Sequence, residues 1–320
     1  MSLKHDVFLR LCQTGGGFIS GQELADSLGV SRAAVWKAIT ALRNDGAVIE
    51  SVTNRGYRLS EGCDLLSEEL ITAALRHRGI RVSVFDCIDS TNNEAKRRLA
   101  GEGPGAELIV ASQQTAGRGR MGRSFYSPAD TGLYMSLALS CPGGFESAVS
   151  STTAAAVAVV RAIERLTPLR PLIKWVNDIY LDGRKVCGIL TEGVTDFETG
   201  MLTGIVVGIG INLHTEEFPS DIGAVAASLG SSAPGRCVLA AAVADELADI
   251  IEAYPDRRYL DFYRSRSLVI GRRITYTAAG VSVDAEAVGI DDFGGLIVRK
   301  DNGETLTLSS GEISLRLQGP

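Results

Sequence analysis

The chain has 320 residues, 45% of them hydrophobic and 22% charged, with nine prolines and a formal net charge of −6. It can bury a sizeable core and fits a soluble globular protein of two or three domains. No apolar run approaches the ~18 residues of a membrane-spanning helix, and the charged start Met1-Ser-Leu-Lys4 leads into no apolar stretch of the export-signal kind, so a cytoplasmic protein without a membrane partner is expected. The six cysteines (12, 63, 87, 141, 187, 237) form no C-x-x-C pair, and His5, His77 and His214 are far apart. That speaks against a disulfide framework, a zinc knuckle, a histidine metal site or a Ser-His-Asp triad. The cysteines read as reduced core residues.

An apolar-periodic segment around Val7, Phe8 and Leu11 opens the chain. Ser20 then heads a short helix stopped by Gly29, and after Val30 a second helix opens at Ser31, which is helix-turn-helix spacing. At 100° per residue, Ala34, Val35, Ala38, Ile39 and Leu42 fall within an arc of about 140° and can face a core. Arg32, Ala33, Trp36, Lys37 and Thr40 take the opposite arc, the one that would enter a DNA major groove. Residues 47–52 and 57–59 read as strands joined through Asn54-Arg55-Gly56, the wing of a winged helix. Between 32 and 58 five basic side chains (Arg32, Lys37, Arg43, Arg55, Arg58) face two acidic ones (Asp45, Glu50), a local +3 in an acidic chain. A winged helix used only for protein contacts is the other reading. Cys63 marks the exit, so the first domain is taken as residues 1–64.

From 65 to 270 apolar strands alternate with helical patterns, the signature of an α/β or α+β domain around a mostly buried sheet. Strands are expected at 82–88, 108–112, 132–139, 172–175, 186–194 and 202–213, and helices at 92–99, 148–166 and 238–253. Short strands at 273–277, 281–290, 295–299, 305–309 and 313–317, separated by Gly, Asp and Asn, argue a small β-barrel over 271–320.

Four clusters in the central region carry chemistry. Ser90-Thr91-Asn92 offers two hydroxyls and an amide where a strand meets a helix, and is equally a helix N-cap signature, the role to which the pattern gives more weight. Gln113-Gln114 closes the next strand beside Gly117-Arg118-Gly119-Arg120-Met121-Gly122-Arg123. Glycines there let main-chain N–H groups converge on an anion, and guanidinium forks bind phosphoryl oxygens bidentately, so the loop reads as a phosphate holder rather than a solvated basic loop. Having few apolar contacts, it is expected to be mobile when empty and to fold over a bound nucleotide. Lys174-Trp-Val-Asn-Asp178 leads through a turn at Asp182-Gly183 into Lys185, a cation at the start of an apolar strand. Such a lysine needs an anion or must snorkel to water. Gly208-Ile-Gly-Ile-Asn212 leaves one strand face bare, for a flat ligand or a packed helix.

Winged helix, Ser90-Thr91-Asn92, Gln114 with the arginine loop, Lys174 to Asp178, Lys185 ahead of Gly188, Gly208 to Asn212 and the terminal Gly311-Glu-Ile-Ser-Leu-Arg316 together resemble the bifunctional biotin protein ligase and biotin operon repressor family over nearly the whole chain. The resemblance implies a winged helix-turn-helix, a central mixed β-sheet with helices of the biotin/lipoate ligase type, and a C-terminal SH3-like β-barrel. It also implies that biotin and ATP, with Mg2+, give biotinyl-5'-AMP, and that biotin passes to a lysine of the biotin carboxyl carrier protein of acetyl-CoA carboxylase. The adenylate-bound homodimer would then bind operator DNA and repress biotin biosynthesis genes.

Carried over by position, Lys185, Arg118 and Arg120 are the catalytic cations. Ser90, Thr91, Asn92, Gln114 and Gly119 join them at biotin, and Arg123, Asn177, Asp178 and Arg316 at the nucleotide. Arg32, Ala33, Trp36, Lys37, Thr40 and Arg55 face DNA, and no metal-ligating residue is assigned. Val176 stands where the family often has proline, and Met121 where a further arginine can occur. Two rival readings remain: a winged-helix transcription factor that senses a small molecule without catalysis, and a lipoate-type ligase.

Overall fold

A computed structural model describes residues 3–14, 16–44, 47–60, 64–101, 105–140, 148–195, 202–278, 281–309, 311 and 313–315. The chain divides into two units: Met1–Ala74 with Gly235–Val238, and Leu75–Pro234 with Leu239–Pro320.

In the first unit, α1 (Leu3–Gln13), α2 (Gly21–Leu28) and α3 (Arg32–Asn44) surround Val7, Leu11, Leu24, Val35, Ile39 and Leu42, all buried. A capping box starts α2: Ser20 Oγ accepts the Glu23 N–H at 3.1 Å, and Glu23 Oε2 accepts the Ser20 N–H at 2.8 Å. Gly29 ends it at φ 66°. Ser31 caps α3 by accepting the Ala34 N–H at 3.2 Å, and Ala34 itself is only half-buried, so the core arc is narrower than the periodicity suggested. Strands β1 (Ile49–Val52) and β2 (Gly56–Leu59) form the antiparallel wing. Gly56, at φ 98°, lies so near Ile19 that a Cβ would come within 2.1 Å of the Ile19 carbonyl oxygen. A further short helix, α4 (Glu68–Ala74), was not anticipated; it buries only Leu70 and Ile71, too few positions for a legible period.

The second unit is built on a seven-stranded sheet. Its strands are β3 (Ile80–Ile88), β4 (Ala106–Gln114), β5 (Gly132–Ser140), β6 (Leu172–Lys174), β7 (Asp178–Leu181), β8 (Arg184–Thr195) and β9 (Leu202–Asn212), in the order β3-β4-β5-β9-β8-β7-β6. Only β3 and β4 run parallel, so the sheet is mixed. Helix α5 (Thr91–Gly101) crosses between them and closes an apolar cluster of Ala95, Ile109, Ala138 and Val206. The alanine-rich α6 (Ala148–Leu166) is almost wholly buried through its middle and packs on β8, β9 and α8 (Tyr259–Ser265). Its small side chains allow close approach to the sheet. Helix α7 (Arg236–Glu252) is likewise alanine-rich.

The C-terminal strands β10 (Arg273–Ala278), β11 (Val281–Ile290), β12 (Leu296–Lys300), β13 (Thr305–Leu308) and β14 (Ile313–Leu315) form an antiparallel sheet in the order β13-β12-β11-β10-β14. It is tied to the segment between β6 and β7 by the buried Trp175, whose indole N–H donates to the Gly294 carbonyl at 2.9 Å, and to α8 by Arg264, which donates to Ile290 O and Asp291 O.

Expected strands and helices fall where the pattern put them, longer or shorter by one to a few residues. Helix α8 was missed because its buried Tyr259, Leu260 and Tyr263 sit in a charged stretch of seven residues. Cysteine reading needs one correction: Cys187 and Cys237 are buried, but Cys87 is exposed near the end of β3. The Cys12 side chain, Cys63 and Cys141 lie outside the described residues. No described helix is long and apolar enough to cross a membrane.

Candidate active site

At one end of the central sheet a cavity of about 290 Å3 opens between β4, β8, β9, the N-terminus of α5, the arginine loop and the β14 approach. Each piece is placed by local chemistry. Strand β3 ends at Ile88 and α5 begins at Thr91, which buries Ser90, Thr91 and Asn92 in the cavity wall. The Thr91 N–H, an orphan donor of the first helical turn, goes to Gln114 Oε1 at 2.9 Å, and the Thr91 hydroxyl to the same oxygen at 3.2 Å, so the acceptor at this helix start is Gln114 and not a side chain of Ser90-Thr91-Asn92. The Gln114 amide nitrogen donates to Ser127 Oγ at 2.9 Å. Buried Ser136, on β5, donates to Asn92 Oδ1 at 2.6 Å and lies 2.7 Å from the Thr91 hydroxyl.

The arginine loop is a small hairpin folded on itself. Gly119 N–H donates to Arg123 O at 2.7 Å and Phe125 N–H to Gly117 O at 2.9 Å, with Met121 at φ 54° and Gly122 at φ 74° carrying the turn. Arg118 reaches Asn93 Oδ1 at 3.1 Å. Arg120 donates to Asn177 Oδ1 at 3.0 Å and to the Gly311 carbonyl at 3.1 Å, so one guanidinium joins the loop, the residue before β7 and the segment leading to β14. Met121 at the tip is 79% exposed.

The bare glycine face is covered from two sides. Gly188 and Gly210 are register partners across β8 and β9. A Cβ on Gly210 would come within 2.4 Å of the Phe125 ring, and one on Gly208 within 2.0 Å of Asn92 Oδ1. An aromatic ring and a helix-end amide therefore lie on that face, both lining the cavity. Lys185 is partly buried and finds its anion in Asp178, Nζ to Oδ1 at 2.6 Å across the β7–β8 hairpin. Trp175 and Lys174 complete this side, the lysine 5.5 Å above the Tyr180 ring.

The cavity thus brings together Ser90, Thr91, Asn92, Gln114, Arg118, Gly119, Arg120, Arg123, Asn177, Asp178 and Lys185, residues up to 95 positions apart in the chain. Arg316 lies outside the described residues. Among the described lining residues, Arg118, Arg120, Arg123, Lys174 and Lys185 stand against one carboxylate, Asp178. Such a site favours anions. Sequence reasoning missed the polar residues standing behind these. Ser136 interrupts an apolar stretch of β5 and Glu192 follows Thr191 within β8, a signal that marks them but names no partner. Glu192 meets Lys96 Nζ at 2.7 Å, Asn92 Nδ2 at 2.9 Å and Arg118 Nη2 at 3.4 Å. Burial pushes its carboxyl up, and Lys96, Asn92 and Arg118 outweigh that to hold it below the ordinary value.

Comparison with known proteins gives three family matches in chain order: an HTH domain over residues 4–58, the Biotin/lipoate A/B protein ligase family over 84–212, and the Biotin protein ligase C terminal domain over 269–316. The bifunctional ligase/repressor BirA of Bacillus subtilis is 35% identical, covering 94% of this chain and 95% of its own. Its Escherichia coli counterpart is 33% identical, covering 94% of each. The chain belongs to the bifunctional biotin ligase/repressor family. Among solved structures, biotin protein ligase from Aquifex aeolicus in complex with biotin and ATP aligns at TM-score 0.62 with 28% identity, over 73% of this chain and 98% of that one.

The other landmark of this family, the DNA-binding head, is also in place. Arg32, Ala33, Trp36 and Lys37 are exposed along one face of α3, Trp36 at 58%. Thr40 is half-buried and returns its hydroxyl to Trp36 O at 2.9 Å. Arg55 on the wing stacks 4.3 Å above the Phe18 ring, and Arg58 sits 4.8 Å from it while pairing with Glu50.

Proposed function

We propose that this chain is a cytoplasmic biotin protein ligase, ATP-dependent and AMP-forming, that also represses transcription by binding operator DNA. The observation that carries the enzymatic half is the cavity with five cationic side chains against one carboxylate beside a glycine face. A carboxylate must meet a triphosphate there, and two anions come together only where fixed charge offsets their repulsion.

In this reading the acyl chain of biotin lies against the Phe125 ring, which the missing Cβ atoms of Gly188 and Gly210 let sit close on the sheet, and its head group meets Ser90, Thr91, Asn92 and Gln114. A biotin carboxylate oxygen attacks the α-phosphorus of ATP, the bond to the β-phosphate bridging oxygen breaks, and pyrophosphate leaves. Lys185 neutralises the reacting carboxylate and α-phosphoryl oxygens, Arg118 and Gly119 hold the acyl-phosphate region, and Arg120 and Arg123 hold the leaving phosphates, with Asn177 and Asp178 near the nucleotide. A carrier-protein lysine then attacks the acyl carbon and AMP departs. Magnesium screens phosphate charge when ATP brings it. Asp178 is the described cavity carboxylate that could donate an oxygen to it, and Mg2+ is normally held by one or two carboxylates plus phosphate and water.

A lipoate-type ligase shares this adenylation logic, and the matched ligase family spans both; the C-terminal match and the BirA relatives favour biotin. The deciding experiment supplies ATP with biotin or lipoate and a carrier domain, and weighs the carrier by mass spectrometry. Biotin-dependent pyrophosphate exchange and a carrier heavier by one biotinyl group are expected, both reduced ~100-fold or more in Lys185→Ala and Arg118→Ala. Exchange with lipoate alone makes it a lipoate-type ligase, and absence of exchange with either acid in the unaltered protein leaves a non-catalytic sensor.

A further inference from the structure

We infer that Glu192 is a positioning residue for adenylation, setting Arg118 toward the phosphates and Asn92 toward the biotin end of the same cavity; this rests on the ligase reading above. Glu192 lies outside the residues that line the cavity, yet it touches two that do. Its Oε2 accepts from Asn92 Nδ2 at 2.9 Å, and its Oε1 is shared by Lys96 Nζ at 2.7 Å and Arg118 Nη2 at 3.4 Å.

The unequal distances assign the parts. Lys96, on α5, is the close and permanent counter-ion. Arg118 is the looser partner, partly exposed, with Asn93 Oδ1 as a second tether at 3.1 Å. When phosphate arrives, Arg118 can bind it through other N–H donors of its guanidinium from this tethered position, and Lys96 keeps Glu192 neutralised as the 3.4 Å contact is shared, so no charge is left buried and alone. An untethered guanidinium would have to give up its rotamer freedom at that moment; held at Glu192 and Asn93 it has already done so. Asn92 is constrained from both ends, its amide nitrogen on Glu192 and its amide oxygen on Ser136 at 2.6 Å. That fixes which way the amide faces along the glycine strand.

The test uses the full chain and measures biotin-dependent ATP–pyrophosphate exchange, with KM for each substrate, kcat and the melting temperature. Glu192→Gln keeps an acceptor for Asn92 and removes the charge that holds Arg118. It should lower kcat/KM for ATP about tenfold while KM for biotin moves less than about twofold. In an Arg118→Ala background the same change should add nothing, since a residue that acts through another is silent once that other is gone. A role confined to pinning α5 on β8 predicts instead a lower melting temperature with unchanged constants for ATP, or an equal loss in both backgrounds; either result overturns the inference. If Glu192→Gln fails to fold, Glu192→Asp, which withdraws the charge by one methylene, should show the same selective loss for ATP, and unaltered kinetics would overturn it. No exchange in the unaltered protein fails the ligase reading itself, whereas normal exchange with a silent Glu192→Gln fails this inference alone.

Discussion

Gly208 shows how much one missing methyl group decides. Its absent Cβ leaves room for Asn92 Oδ1, which would otherwise lie 2.0 Å away, and Asn92 cannot retreat because Glu192, Leu190 O and Ser136 hold its amide. Gly208→Ala should therefore destabilise the protein by ~1–3 kcal/mol, as overpacking of a tight interior does, and weaken biotin binding as well. Urea unfolding and biotin titration together check this, and an alanine variant as stable and as tight-binding as the parent would refute the account. The glycine alternation was legible in the sequence as a bare strand face, and so were the arginines, because charge and glycine announce themselves locally. Glu192 and Ser136 were not legible. Their partners lie 74 to 100 and 44 to 45 residues away, and only the packing of α5 and the arginine loop against the sheet brings them together.

At the scale of elements, the arginine loop modifies the expectation drawn from its composition. Glycines and like charges led to the expectation of a loop mobile when empty; it closes as a hairpin through Gly119, Arg123, Gly117 and Phe125 and is moored by Arg118 and Arg120. Its tip from Met121 to Ser124 remains exposed, and local opening costs least where little apolar packing is disrupted. Limited trypsin digestion should cut at Arg120 or Arg123 in the free protein, with the cut slowed about tenfold or more by biotin plus ATP. Equal cutting in both states would remove any closing role from the loop.

A second element carries a pH response. His77, ahead of β3, meets Asp249 at 2.7 Å and Glu252 at 3.2 Å on α7, beside Arg76 and Asp245. The hydrogen bond to Asp249 raises the imidazole pKa. A raised folded-state value means that this stabilisation is complete below the unfolded pKa, about 6.5, and fades as pH rises through the folded value. The difference in melting temperature between the parent and His77→Gln should thus be widest near pH 6 and shrink by pH 8.5. A constant gap would assign His77 a packing role only.

For the whole molecule, the helix-turn-helix, a buried central sheet with helices and a C-terminal run of short strands were each legible from period and turn residues, because strands and amphipathic helices write their spacing into the chain, whereas the mixed character of the sheet came only with the family resemblance. Strand order was not, since β9 pairs with β5 although β6, β7 and β8 lie between them in the chain. The three parts make a joint prediction that none makes alone. If biotinyl-adenylate is both intermediate and corepressor, operator affinity depends on the chemistry of the cavity. Biotin with ATP should tighten operator binding of the parent and promote its homodimer, as read by band shift and sedimentation, while Lys185→Ala, which cannot form the adenylate, should show neither change unless supplied with ready-made adenylate. Arg32→Ala and Lys37→Ala should weaken binding in every ligand state and flatten its salt dependence by about 0.9 in log–log slope for each phosphate no longer neutralised. The two classes of variant separate cleanly: one loses the response to vitamin and keeps the salt slope, the other loses slope and keeps the response. A Lys185→Ala protein that still tightened on operator DNA with biotin and ATP alone would break the link between catalysis and repression, leaving two functions on one chain.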